Sequence, residues 1–402
     1  MNAHKSRAEI MRIAEPEDSF INLCIEICGV DATADFLTLR QPLTQNRWLE
    51  ELENHPEIDL ADPEKYAAFT ALTERIERWK SRACIVSYEQ ERRMAASLNA
   101  WLCVPEDDDW PTALDDLGSG KPYGLWGRGE RHRLQELNQG TTIAVVGSRD
   151  VTAYGNSATA HIVGELAGSG ATIISGGALG IDANAHRTAL HSSTAELNTV
   201  ALMACGVDRL YPKHNELLLQ EIARTGLILS EVPLGFSPTR WRFLQRNRLI
   251  AALAQMTIVV EARWRSGALN TAHHALELGR ELRAVPGSIF SPSSEGCHKL
   301  FKDGLATVAT DGKDLLKDLS NKLAPEQEEI HLSFEDRHQQ VLNTLDEVQS
   351  RVWDALPVRK PATIENLSSI SGVPMRATMM ALSQLATVNL ALNKDHGWIK
   401  LR

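Results

Sequence analysis

The sequence predicts an α/β protein: a Rossmann-like doubly wound parallel sheet, preceded by a helical amino-terminal region and followed by a small carboxy-terminal winged-helix domain. Three observations carry this expectation. From residue 141 onward, short β-rich runs alternate with segments of helical period, the pattern of right-handed βαβ units with helices on both faces. Before residue 100 apolar residues recur every three or four positions, as helices require. Beyond residue 338 three helical stretches end in "ALNKDHGWIKLR", which reads as a two-stranded turn at Asp395-His396-Gly397. With 402 residues the chain also exceeds one core, since cores stop growing at roughly 250–300 residues.

Residues 1–100 form the expected helical region, as in "PEKYAAFTALTERIERWKSRACIVSYEQERRMAASLNAWL", and offer no chemistry. The next passage, "VPEDDDWPTALDDLGSGKPYGLWGRGE", is rich in Pro, Asp and Gly and reads as a connecting segment with turns. Its "GSGKP" is not a phosphate loop. Asp115 stands where the first glycine belongs, and Pro122 replaces the hydroxyl residue that would bind magnesium. Strands are expected at 141–146, 171–175, 198–204, 226–230, 256–262 and 281–285, with a short one at 305–309. They belong to a domain spanning 101–317. Residues 318–338 are polar and acidic and read as a linker. In the winged-helix domain, 339–402, the recognition helix carries only Arg376 as a cation, and the wing adds Lys394, Lys400 and Arg402. That is thin for DNA, so a protein-contact or dimer role is the expectation for this module.

Composition narrows the function. No apolar run is long enough to cross a bilayer, and the amino terminus has charges where a signal peptide needs its apolar stretch, so no membrane role and a cytoplasmic location are expected. The six cysteines, Cys24, Cys28, Cys84, Cys103, Cys205 and Cys297, form no CxxC pair. Neither a disulfide frame nor a zinc site is expected of them. A formal charge of -10 argues against coating nucleic acid with the whole surface, yet leaves room for a local basic groove.

In an open parallel sheet, ligands sit at the carboxyl ends of the strands. The residues following the expected strands are small and turn-forming. Gly147-Ser148-Arg149 follows the first, with Tyr154-Gly155 opening the next helix. Ser175-Gly176-Gly177-Ala178-Leu179-Gly180 closes the second, and Arg263, Arg265, Ser266 and Gly267 follow the fifth. Glycines here let backbone N–H groups approach a ligand, and helix N-termini add partial positive charge, which together favour phosphate. Lys213 and Asn215 fall within reach of the same edge. GxGxxG is lacking and no acid ends strand two, so no dinucleotide cofactor is expected. Asp182 and His186 lie one helical turn apart, but each has an ordinary structural reading, and no catalytic residue is expected. His273-His274 lacks a third ligand, so no metal is expected either.

The sharpest anomaly is "RWRFLQRNR" at 240–248, which holds four arginines and no acid. Between 240 and 265 there are six arginines against the single acid Glu261. Arginine forks suit phosphate, and Trp241 or Phe243 could stack on exposed bases, a combination suited to single-stranded nucleic acid. Alternatively Trp241 and Phe243 anchor the loop in the core while Arg242 or Arg248 pairs with Glu231 or Glu261. For Arg246 and Arg248 the expectation is phosphate contact or an ordered pair lining the site.

The motifs "AVVGSRDVTAYG", "SGGALGIDANAHRTAL", "GVDRLYPKHNELL", "GLILSEVPLG", "RFLQRNRLIAAL", "VVEARWRSGALNTAHHALELGR" and "AVPG" occur in this order and together resemble the DNA-processing protein A (DprA/Smf) family. The resemblance implies a non-enzymatic, usually dimeric, Rossmann-like protein that binds single-stranded DNA with little sequence preference. It further implies a role in natural transformation, protecting incoming strands and loading the RecA recombinase. Carried over by motif, the DNA pocket comprises Ser148, Arg149, the Gly176–Gly180 loop, Lys213, the run from Phe243 through Arg246 and Asn247 to Arg248, and Ser266-Gly267. Leu244 stands where the family commonly has proline. A nucleotide phosphoribohydrolase-type enzyme is the alternative of the same fold, but its "PGGxGT" loop is absent, and "PGSIFSPSSEG" follows strand six instead.

Overall fold

The computed structural model describes residues 3–41, 50, 79, 82, 87–323, 345–358, 360–394 and 397–401. Cys84, Asp395, His396 and Arg402 lie outside them. The chain divides into two compact units, Met1–Leu323 and Ala324–Arg402.

A nine-stranded sheet organises the first unit. Its strands are β1 (Ala100–Cys103), β2 (Leu125–Arg128), β3 (Thr142–Val146), β4 (Thr172–Ser175), β5 (Thr199–Leu202), β6 (Leu227–Ser230), β7 (Met256–Val259), β8 (Glu281–Ala284) and β9 (Thr307–Val308), in the order β1-β2-β6-β5-β4-β3-β7-β8-β9. From β6 to β9 every neighbouring pair is parallel, as the alternating sequence demands. The hairpin β1–β2 adds to β6 antiparallel, and it lies in a stretch expected to hold only helix and turns. Its strands are short on β-branched residues. Packing replaces propensity here: the Trp101 ring lies across Gly127, where a Cβ would meet it at 2.1 Å, and its indole donates to Gly129 O at 2.8 Å.

Helices cover both faces. The longer ones among the described residues are α1 (Ala3–Ile13), α2 (Ser19–Cys28), α3 (Val30–Leu37), α4 (Tyr88–Ser97), α5 (Ala153–Gly168), α6 (Ile181–Ser192), α7 (Glu216–Thr225), α8 (Arg240–Ala252), α9 (Gly267–Glu277), α10 (Glu295–Lys302) and α11 (Gly312–Leu323). Strand β3 shows how alternation assigns them. Ile143 and Val145 pack with Ile162 and Leu166 of α5, Ala185 of α6 and Leu315 and Leu319 of α11, while Ala144 and Val146 pack with Leu249 and Ile250 of α8 and Ala272 of α9. Since Leu319 is buried, α11 continues to Leu323, past the point where the linker was expected to begin.

The amino-terminal helices are part of the same unit. Ile10, Phe20 and Phe36 share a core with Met203, Leu219, Ile222 and Leu234. Helix α4 contributes Glu91, buried with a carboxylate oxygen 3.5 Å from Arg12 Nη2. Burial pushes the Glu91 pKa up to about 7 from an ordinary 4.5, against the lowering pull of Arg12. A carboxyl raised on folding favours the native state most below its unfolded pKa, and that contribution is lost as pH rises through the folded value. Wild-type melting temperature is therefore expected to drop between pH 5 and 7 by an amount that Glu91→Gln removes. Equal pH slopes for the two proteins in thermal melts would contradict this.

The second unit holds α12 (Glu347–Ala355), α13 (Ile364–Ser371), α14 (Met375–Thr387) and an antiparallel ribbon of β10 (Ala391–Lys394) with β11 (Gly397–Lys400). Val352, Leu367, Leu382 and Leu385 form its core. Three helices are thus followed by a two-stranded ribbon. Among the described residues, no helix is long and apolar enough to cross a membrane.

Candidate nucleic-acid interface

The strand order reverses between β3 and β7: β4, β5 and β6 run out to one side of β3, and β7, β8 and β9 to the other. Loops leaving neighbouring strands in opposite directions open a crevice at their carboxyl ends. A cavity of about 790 Å³ occupies that place, walled by Gly147, Ser148, Arg149 and Asp150 after β3, by the 263–268 loop after β7, and by α8. Five arginines line it, Arg149, Arg240, Arg246, Arg263 and Arg265, with only Asp150 and Asp182 as acids and with Tyr211, Phe243 and Trp264 as aromatics.

The arginines are not equivalent. Arg263 pairs with Asp150 at 2.9 Å. Arg149, Arg240 and Arg265 are exposed and form no ion pair with any described residue. Arg149 lies over the Phe243 ring, 5.1 Å from its centroid, and that ring tilts at 49° against Tyr211, with centroids 6.0 Å apart. Arg265 adopts φ 66°, a left-handed conformation that costs a non-glycine residue about 1–3 kcal/mol and clusters at functional loops. Ser266 follows as N-cap of α9 without making the capping bond, and its buried Oγ has no partner. At Gly267 an added Cβ would meet only open space. The first N–H groups of α9, a free hydroxyl and the arginines thus converge on a seat for an anion.

Arg246 lies beneath the surface. It donates from Nη1 to Gly176 O at 2.8 Å and to Leu202 O, and Gly176 must be glycine because a Cβ there would sit 2.5 Å from the guanidinium. Burial lowers the Arg246 pKa to about 10 although Asp182 pulls it up, and burial raises the Asp182 pKa although Arg246 pulls it down. These opposite charges stabilise one another under the floor of the cleft. His186 points away from Asp182, its Nδ1 2.7 Å from Thr199 Oγ1. Burial, then the nearby Arg246, depress its pKa to about 3, so the ring is neutral at pH 7.

Of the residues expected at the site, Gly147, Ser148, Arg149, Phe243, Arg246, Asn247, Ser266 and Gly267 line the cavity. Tyr154 lies in an adjoining pocket, donating to Pro286 O at 2.5 Å. Gly155 makes room for Glu261, which would be 2.3 Å from a Cβ there and which accepts from Thr152 N and Oγ1 at the start of α5. Gly177 and Gly180 turn the loop after β4 with φ of 66° and 81°, and a Cβ on Gly180 would lie 2.2 Å from Ser148 O.

Four further expected residues stand outside the cavity lining. Ser175 is buried and donates to Val145 O at 2.6 Å. Asn215 is buried and donates to Gly177 O and Ala178 O at 3.0 Å each, shaping the loop from behind. Lys213 is exposed but outside the cavity lining. Arg248 is 2% exposed, forms two bonds of 2.6 Å to Glu231, and donates to Gly120 O and Gln245 O. Burial alone would discourage its charge; Glu231 more than offsets this and holds the pKa above its ordinary value. It is a structural cation, the pairing that the sequence left open as an alternative. Conversely Tyr211 and Trp264 were missed as cleft residues. Trp264 sits between two arginines just beyond a strand end, a juxtaposition that could have marked it.

Two clusters could be mistaken for metal sites, Cys103–Asp107–Asp109 and His161–Glu165–Asp311. In the first, both carboxylates are already engaged by Arg131, which reaches Asp109 at 2.7 Å and Asp107 at 2.8 Å. In the second, Glu165 already accepts from Gly312 N at 2.8 Å.

Comparison with known proteins finds relatives over most of the chain. The family model for DNA recombination-mediator protein A matches residues 101–320. The "Putative DNA processing protein DprA" of Mycobacterium tuberculosis H37Rv is 39% identical over 313 residues, covering 75% of this chain and 77% of the relative. Protein Smf of Escherichia coli K12 is 34% identical over 330 residues, covering 77% and 82%. The crystal structure of DNA processing protein A from Streptococcus pneumoniae superposes with a TM-score of 0.58 at 28% identity, covering 79% of this chain and 98% of that one.

Proposed function

Since this chain belongs to the DNA recombination-mediator protein A (DprA/Smf) family, we propose that it binds single-stranded DNA, without strong sequence preference, in the cleft between β3 and β7. The observation that carries this is the set of exposed arginines without acid partners, Arg149, Arg240 and Arg265, interleaved with Tyr211, Phe243 and Trp264. Arginines satisfy phosphates, whereas aromatic faces stack on any base, and stacking needs bases that no second strand covers. The seat at Ser266-Gly267 takes one phosphate, and the cation pair of Arg149 on Phe243 brings a charge and a stacking face to one point.

The finer role rests on the family. The protein acts in DNA uptake, shields incoming strands and hands them to the RecA recombinase, working as a cytoplasmic homodimer. It does so without catalysis: Asp182 is buried against Arg246 and His186 is turned to Thr199. The carboxy-terminal unit serves protein contact, because α14 exposes Met375, Met379 and Met380 beside a single cation, Arg376.

Titration of labelled oligo-dT across a salt series tests the DNA reading. The logarithm of affinity is expected to fall linearly with log salt, by about 0.7 per phosphate contact. Absence of binding, or binding indifferent to salt, would overturn it.

A further inference from the structure

Helix α8 presents two stripes, and only one belongs to the cleft. Arg240, Phe243, Asn247 and Ile250 line the cavity. The stripe Arg242, Gln245 and Arg248, spaced by three, faces the turn between α1 and α2. There Arg242 Nη2 lies 3.3 Å from Glu15, Gln245 Nε2 donates to Pro16 O at 2.6 Å, and Arg248 Nε lies 3.3 Å from Glu17. Three successive residues of the turn thus grip three positions of one helix stripe.

The turn is itself held. Tyr123 donates to Asp18 O at 3.1 Å, the Asp18 carboxylate caps α2 by accepting from Phe20 N, and Arg82 pairs with Glu15 at 2.7 Å. Arg12 and Arg242 both lie over the Phe236 ring, 5.3 and 5.1 Å from its centroid. Glu17 adopts φ 61°, a left-handed conformation that surrounding contacts must sustain. At its amino-terminal end, meanwhile, the inner stripe of α8 faces an open cavity and gains little packing from it.

We infer that the acidic turn Glu15-Pro16-Glu17 is a positioning element for the DNA cleft, gripping the outer stripe of α8 so that Phe243 and the rim arginines stand ready for the strand. The inference rests on the single-stranded DNA reading. It gives the amino-terminal helices a part in binding although they contribute no residue to the cavity. It also makes a prediction of unexpected sign. If Glu15 and Glu17 acted only as charges, they would repel DNA, and their removal would tighten binding. As a grip on α8, their loss leaves the cleft less pre-organised and weakens binding.

The test uses the full chain, oligo-dT at two salt concentrations, and a temperature at which thermal melts show every variant folded. Glu15→Gln with Glu17→Gln is expected to weaken binding about tenfold, the cost of losing pre-organisation worth roughly 1.4 kcal/mol. The salt dependence should not change, because no phosphate contact is removed. Gln245→Leu is the second variant: it alters no charge, and the buried Gln245 Oε1 has no partner to lose. It is expected to weaken binding in the same direction. Equal or tighter binding by both variants overturns the inference. Failure of the parent itself to bind oligo-dT would instead overturn the DNA reading on which it stands.

Discussion

Arg248→Ala is expected to lower the unfolding free energy of the Met1–Leu323 unit by about 3–5 kcal/mol, the usual cost of leaving one member of a buried ion pair without its partner. Glu231, 6% exposed, would lose both of its 2.6 Å bonds and remain in a site that water cannot reach. Gly120 O and Gln245 O would lose their donor in the same step. Urea unfolding followed by far-ultraviolet circular dichroism measures the change. Arg248→Lys should recover only part of it, because an ammonium cannot reproduce the two-pronged contact. A loss below about 1 kcal/mol would place Arg248 among ordinary surface cations. The salt dependence of oligonucleotide binding by the folded variant, by contrast, should not change, since the guanidinium makes no phosphate contact, while its affinity should fall as in the Glu15 and Glu17 variant, because Arg248 is one of the gripped positions.

That contrast shows what the sequence could and could not convey. The parallel sheet was legible because β-branched runs such as "TTIAVV" and "ATIIS" are punctuated by glycine, and each became a strand. The β1–β2 hairpin was not, because its stability comes from Trp101 filling the space over Gly127 rather than from local preference. The run "RWRFLQRNR" was legible as a basic helix beside the carboxyl edge of the sheet. Its division into two stripes follows from the helical period, but which stripe meets the ligand depends on acids remote in sequence. Arg242 finds Glu15, and Arg248 finds Glu231 and Glu17. An amino-terminal region that offered no chemistry by itself gains it only through that contact. The glycines at the strand edges stand there for two different physical reasons: a Cβ at Gly267 would meet open space, whereas Gly176 and Gly180 are required by Arg246 and Ser148 O.

Phe243→Ala is expected to weaken oligo-dT binding by about 1–3 kcal/mol, roughly five- to 140-fold, the range found for removing a base-stacking aromatic. The sequence left Phe243 undecided between stacking and anchoring, and its position sharpens the question. The ring is half-buried on the cleft wall, supported from one side by Tyr211 and touched by Arg149. Phe243→Leu separates the two roles, since leucine keeps apolar volume but has no π-face. A stacking residue predicts that leucine binds almost as poorly as alanine, whereas an anchor predicts parental affinity. Arg149→Ala should cost about 1.5–3 kcal/mol as a charged hydrogen-bond donor and reduce the salt slope by about 0.7. Phe243→Ala alone should leave that slope intact, because it removes no charge. The double variant should lose less than the sum of the two, by about 0.5–2 kcal/mol, because the Arg149 guanidinium is held in place by the ring it covers. Strict additivity across this cycle would mean that the two side chains meet the strand independently, and that the contact between them in the free protein is incidental to binding.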